Sequence, residues 1–246
     1  MSLLKLKEEV YKANMRLYQS GLVTFTFGNA SGIDRERSLV AIKPSGVPYK
    51  KLTPGDIVLV DLDGNKIEGK LNPSSDTKTH LELYKAFTDI GGVAHTHSIY
   101  ATAWAQAVKA IPCFGTTHAD FFYGEIPCTG IIKDSRILKD YELETGRLIV
   151  DTLKSIDYHY MKAALVACHG PFSWGDNTEE AITISIALEE IAKTAFYSIM
   201  INPSLKNIKK SLLDKHYLRK HGKGAYYGQG DNSCYFKHKN KPCQHL

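Results

Sequence analysis

The feature that most constrains this chain is a set of short apolar runs, Leu39–Ile42, Ile57–Leu62, Val93–His97 and Ala164–Ala167, set among longer stretches of helical periodicity. Runs this short fit strands better than helices. Between them, Leu6, Val10, Ala13 and Leu17 recur at helical spacing and predict a helix near 4–19, stopped by Gly21. Ser75 or Asp76 is placed to cap a helix reaching Phe87, with Leu81, Tyr84 and Phe87 on one face. Tyr100–Val108 and Tyr141–Lys154 read as helical, and Asn177 with Glu180 makes a capping-type start for a long helix to about Ser198. A last helix is expected near Leu205–Tyr217, and Gly28–Gly32 reads as a tight loop. Strands and helices mix along the whole length, the mark of an α/β chain. With no internal repeat or linker, residues 1–230 read as one domain, followed by a polar tail over 231–246.

Composition narrows the partners. A chain of 246 residues with 43% hydrophobic content can bury a sizeable core. The net charge of +5, part of it in Lys206–Lys223 and Lys237–Lys241, suits an anionic small molecule. Nucleic acid would call for a denser basic face with interleaved aromatics, so it is not expected as a partner. The 5 cysteines include no CxxC pair, which indicates neither a zinc ribbon nor a disulfide framework. No apolar stretch reaches the roughly 18 residues of a membrane span, and the start carries no signal-peptide core. A cytoplasmic setting is expected.

The chemistry sits at the ends of the apolar runs. In a strand, His95 and His97 share a face, so two imidazoles converge on one point. Alone, the pair is as compatible with two unrelated histidines. His169 follows an apolar run and precedes Gly170-Pro171, which puts a third imidazole at a strand end. Three imidazoles with an open position is the arrangement of a catalytic zinc. Cys168 is expected to point to the opposite face and to serve packing. Pro73-Ser74-Ser75-Asp76 offers hydroxyls and amides to an anion at a helix start, with Asp76 in reach of a metal, although ordinary capping explains it equally. Lys43-Pro44-Ser45-Gly46 supplies a point charge, a hydroxyl and a closely approached amide, or is an ordinary strand exit. Asp120, in the loop Gly115-Thr116-Thr117-His118-Ala119-Asp120, is an acid/base candidate against the alternative of surface solvation. Tyr227 is a near-terminal proton donor or acceptor, or a packing residue.

Together these segments, with Gly28-Asn29-Ala30-Ser31, His169-Gly170-Pro171-Phe172 and the run from Leu213 to Gly222, resemble the class II sugar-phosphate aldolase and epimerase superfamily over about residues 5–229. The 4-epimerase branch acting on L-ribulose 5-phosphate is the most similar within it. The resemblance implies a single α/β domain whose central, largely antiparallel sheet is flanked by helices. It implies that His95, His97 and His169 hold Zn2+, with Asp76 on or near the metal. Asn29, Lys43, Ser45, Gly46, Ser74 and Ser75 match phosphate-binding positions, and Asp120 and Tyr227 match the two acid/base groups. Tyr227, and His216 as a site-lining residue, would come from a neighbouring chain of a homotetramer. Related fuculose-type aldolases carry Glu where this chain has Asp76, which favours an epimerase over a lyase. The expected reaction is cleavage and re-addition at C3–C4 of a sugar phosphate.

Overall fold

Seven strands form one wholly antiparallel sheet in the order β4-β3-β2-β1-β5-β7-β6. The computed structural model describes residues 2–228. In chain order the elements are α1 (Leu3–Gln19), β1 (Asn29–Asp34), β2 (Leu39–Ile42), β3 (Val58–Asp61), β4 (Lys66–Glu68), α2 (Thr77–Ala86), β5 (Gly92–His95), α3 (Ile99–Gln106), α4 (Thr116–Ala119), α5 (Asp134–Thr152), β6 (Ala163–Val166), β7 (Gly170–Gly175), α6 (Thr178–Ile201) and α7 (Lys210–His221). The α/β class, the single domain and the antiparallel sheet flanked by helices are as expected.

Alternation along the strands divides the core between the two faces. Val40, Val58, Val60 and Val93 pack with Leu81, Leu83 and Tyr84 of α2 and Ile149 of α5. Their neighbours Ala41 and Leu59 pack against Leu6 and Val10 of α1, and Ala94 meets Ala13 and Leu17 of α1 and Ile182 of α6. Helices therefore cover both faces, which explains why β1, β5, β6 and β7 are buried at every position. Each large apolar side chain fully buried in these layers contributes about 1.5–3 kcal/mol.

The predicted helix 4–19 is α1, and the Asn177–Glu180 cap forms: the Glu180 amide donates to Asn177 Oδ1 at 2.9 Å. Other expectations are corrected. Gly28–Gly32 is not a loop, because β1 begins at Asn29 and runs through the middle of the sheet. Its small residues serve close packing: a Cβ on Gly32 would meet Thr178 Cγ2 at 2.7 Å. Asn14 of α1 fastens this strand, accepting from the Ala30 amide at 2.9 Å and donating to the Ala30 carbonyl at 3.0 Å. Strand β5 stops at His95, so His97 lies in the segment before α3 and not on the strand. Asp76 occupies the cap position of α2 but makes no capping bond, nor does Ser75. Cys168 is exposed with φ +62° in the β6–β7 turn, because the strand ends two residues before it; it does not serve packing. The last helix begins later than expected, at Lys210. The tail 231–246 lies outside the described residues. Among the described residues, no helix is long and apolar enough to cross a membrane.

Candidate active site

Register across the sheet assembles the centre. Asn29 opens β1 opposite His95, the last residue of β5, and His95 in turn pairs with Phe172 of β7. Thus one row across three strands carries an amide, an imidazole and an aromatic ring. The Phe172 ring stacks on His95 at 4.2 Å. The β6–β7 turn brings His169 to the same end, with its ring centroid 4.7 Å from that of His95 and 5.1 Å from that of His97.

These three histidines are a group whose ligand atoms lie within 4.8 Å of one another. His95 Nδ1 lies 3.0 Å from the Pro171 carbonyl, which can only accept, so Nδ1 carries the proton and Nε2 offers its lone pair. Burial pushes the His95 pKa down to about 3, so the ring is neutral. Tyr141 Oη lies 3.2 Å from His169 Nδ1 and steadies the second ring in a similar way. His95 Nε2 and His97 Nε2 face each other at 3.0 Å, a spacing that a shared cation satisfies better than two lone pairs. Neutral, oriented imidazoles from three segments suit a nitrogen-favouring divalent ion such as zinc. Asp76 stands beside this group. Burial raises its pKa, but the hydrogen bond from the Asn29 amide works against that, and the carboxyl stays below the ordinary carboxylate value. Its Oδ2 accepts from Asn29 Nδ2 at 2.6 Å.

His95, His97 and Asp76 line one side of a pocket of about 270 Å³. Its far side is made by two loops held together: the Ser45 amide donates to the Asn72 carbonyl at 3.0 Å and the Ser74 amide to the Lys43 carbonyl at 3.1 Å. Lys43, Ser45, Gly46, Ser74, Ser75 and Asn29 all line it. Gly46 has φ +67°, which suits glycine and exposes its amide. Lys43 is 1% exposed, with Nζ 4.7 Å above the Tyr49 ring, and burial lowers its pKa to about 8. Asn29 donates to Ser74 Oγ at 3.0 Å as well as to Asp76, and its buried Oδ1 has no protein partner among the described residues.

Asp120, His216 and Tyr227 do not line this pocket. They gather around α4 and α7. Asp120 accepts from Arg219 at 2.8 Å, His216 Nδ1 at 3.1 Å and Lys220 at 3.4 Å. Burial raises its pKa, yet Arg219, Lys220 and the hydrogen bond to His216 bring it below the usual range. The Tyr227 ring lies over Arg219 at 4.8 Å and Lys220 at 4.4 Å, and the residue is 56% exposed. One chain therefore carries two separate clusters: a pocket lined by imidazoles, a lysine and serines, and a carboxylate–phenol group around α4 and α7.

Sequence reading missed Tyr49, whose hydroxyl donates to the Gly28 carbonyl at 2.8 Å, and Tyr141, which reaches His169. It also missed His80, fully buried with Nδ1 at 2.7 Å from Ser31 Oγ. Phe27 at the pocket's lip was missed too. None of these has a local spacing signal, since each partner lies far along the chain.

Comparison with known proteins places this arrangement. A family model described as class II aldolase and adducin N-terminal domain matches residues 8–196. A solved structure of an L-fuculose 1-phosphate aldolase is 25% identical, with a TM-score of 0.75, covering 88% of this chain and 96% of that one. YgbL from Klebsiella pneumoniae, titled a putative aldolase/epimerase/decarboxylase, is 23% identical with a TM-score of 0.70, covering 87% and 99%. An L-fuculose-1-phosphate aldolase from Thermus thermophilus is 22% identical with a TM-score of 0.64, covering 83% and 99%.

Proposed function

The chain belongs to the class II aldolase and adducin N-terminal domain family, and on that premise we propose that it is a zinc-dependent L-ribulose-5-phosphate 4-epimerase. The observation that carries this reading is a pocket in which His95 and His97, grouped with His169, adjoin a lysine- and serine-lined cradle. Such a pocket takes a short molecule with a phosphate at one end and vicinal carbonyl and hydroxyl oxygens at the other.

The C4 hydrogen of a pentulose is not acidic, so inversion there goes by breaking C3–C4. His95, His97 and His169 would hold a zinc ion, which would supply Lewis acidity toward the negative charge that cleavage leaves on the C1–C3 fragment. The C4 hydroxyl gives its proton to a base, and the C3–C4 electron pair stays with C3. The products are glycolaldehyde phosphate and the enolate of dihydroxyacetone. Lys43, Ser45, Gly46, Ser74 and Ser75 hold the phosphate while the aldehyde turns by about half a rotation. Re-addition through the other face gives D-xylulose 5-phosphate, and a second group returns the proton. We assign these two proton-transfer roles to Asp120 and Tyr227, with Tyr227 and the site-lining His216 supplied by a neighbouring subunit of a cytoplasmic homotetramer. The ionised state of Asp120 suits the base.

Asp76 favours an epimerase over an aldolase. Its short carboxylate is tied to Asn29 at 2.6 Å beside the imidazoles, which suits a held ligand and not a mobile base. The second reading, an aldolase releasing the fragments of a ketose phosphate, is favoured by the 25% identical fuculose-phosphate aldolase structure. Incubation with L-ribulose 5-phosphate, with and without chelator, separates them. Formation of D-xylulose 5-phosphate that chelator abolishes and zinc restores supports the proposal. Stoichiometric free glycolaldehyde phosphate without D-xylulose 5-phosphate means a lyase, and no turnover at all overturns both.

A further inference from the structure

The segment between α1 and β1 holds two exposed aromatic side chains that the assignments above leave without a task. Phe27 is 54% exposed and Phe25 is 77% exposed. Large apolar rings so open to water call for a reason when they stand together. Phe25 holds φ +56°, a left-handed conformation that costs a bulky residue energy. The two rings meet edge to face at 6.0 Å. The Phe27 ring lies 5.8 Å from that of His97, tilted by 31°.

The backbone of this segment is fixed from both sides of the pocket. Tyr49 Oη donates to the Gly28 carbonyl at 2.8 Å and to the Phe27 carbonyl at 3.3 Å. Tyr49 is also the residue beneath Lys43. Gly28 at φ +75° admits no side chain, because a Cβ there would meet the His95 carbonyl at 2.9 Å and Val23 Cγ1 at 2.6 Å. Phe27 is thus an apolar ring beside the His97 imidazole, on a backbone held by Tyr49, in a pocket otherwise lined mainly by polar groups.

The reaction proposed above needs such a wall. Its aldehyde fragment must turn in place without leaving, and its enolate must not take a proton from water at C3. We propose that Phe27, backed by Phe25, is the positioning residue that retains the two fragments and screens the three-histidine centre from solvent. This inference rests on the epimerase reading. The leak it prevents balances: L-ribulose 5-phosphate would leave as glycolaldehyde phosphate and dihydroxyacetone, the enolate taking at C3 the proton that the C4 hydroxyl lost.

The test compares wild type, Phe27→Ala and Phe27→Trp, each first shown to be folded by circular dichroism and to hold zinc by elemental analysis. The first readout is the ratio of free glycolaldehyde phosphate to D-xylulose 5-phosphate. The second is the rate at which the chromogenic chelator 4-(2-pyridylazo)resorcinol strips zinc, with no substrate present. Phe27→Ala is expected to raise the ratio on the order of tenfold and the stripping rate several-fold, and Phe27→Trp to restore both. Either readout staying at the wild-type level in folded, zinc-loaded Phe27→Ala overturns the proposal. Should wild type give no D-xylulose 5-phosphate, the epimerase reading fails by itself, and the stripping rate still decides whether Phe27 screens the centre.

Discussion

The Nε2 atoms of His95 and His97 stand 3.0 Å apart although one residue ends β5 and the other lies beyond it. That approach brings two lone-pair sites together at the pocket's edge, where a cation accounts for both. His97→Ala is therefore expected to lose bound zinc and activity together while the fold is kept, since His97 is exposed and packs in no core cluster. Elemental analysis checks this, and stoichiometric metal retained in the variant would remove His97 from the ligand set.

Lys43 sits over Tyr49 with its pKa lowered to about 8 by burial. Below that pH the ammonium is charged and attracts phosphate; above it the charge is lost. The KM for a phosphorylated substrate should rise as pH climbs from 7 to 9.5, with a smaller change in kcat. Lys43→Met should show a high KM at every pH and no such limb. A KM independent of pH in wild type would show that Lys43 does not bind the phosphate by its charge.

The candidate site was legible where its residues cluster in short segments. Ser74, Ser75 and Asp76 are adjacent, Lys43 to Gly46 are consecutive, and His95 and His97 differ by one step. The structure gathers them in one pocket, although His97 reaches it from a loop and not from the strand that the spacing suggested. Strand β1 was not legible because Gly32 and Ala30 are selected by packing against α1 and α6, which looks like turn composition. Contacts such as Tyr141 with His169, or Asp120 with Arg219, depend on how α5 and α7 dock, and no local pattern encodes that.

Tyr227 lies over Arg219 and Lys220 and apart from the pocket that His95 and His97 line. If it transfers a proton across a subunit boundary, Tyr227→Phe should lower kcat on the order of a hundredfold or more. Zinc content should not change, because no ligand is touched. Steady-state kinetics beside elemental analysis test this, and normal turnover would sink the role.

Gly170 opens β7 directly behind the three-histidine group. A Cβ there would meet the Thr96 carbonyl at 2.8 Å and His95 Cε1 at 3.6 Å. The first contact is with backbone and cannot be relieved by a rotamer change. Gly170→Ala should therefore shift the segment bearing His95 and His97, costing about 1–3 kcal/mol of stability and weakening zinc binding more than a surface substitution does. Urea unfolding and chelator competition measure the two effects, and wild-type values for both would contradict the close approach.

His159 is clasped by two carboxylates, with Nε2 at 2.8 Å from Asp89 and Nδ1 at 2.6 Å from Asp157. Burial lowers its pKa, but hydrogen bonds to Asp89 and Asp157 outweigh this and raise it above 6.5. Tyr158, which also donates to Asp89 at 2.8 Å, stacks against the ring. A raised folded-state pKa means that folding binds the proton more tightly. The clasp therefore stabilises fully below about pH 6.5, and its contribution disappears as pH rises through the folded value. The imidazole is one-third exposed, so solvent screening limits the effect to below about 1 kcal/mol. In urea unfolding from pH 6 to pH 8, the stability advantage of wild type over His159→Gln should shrink with rising pH. An advantage that stays constant or grows over that range would show that the charged clasp does not join the α2–β5 loop to the segment before β6.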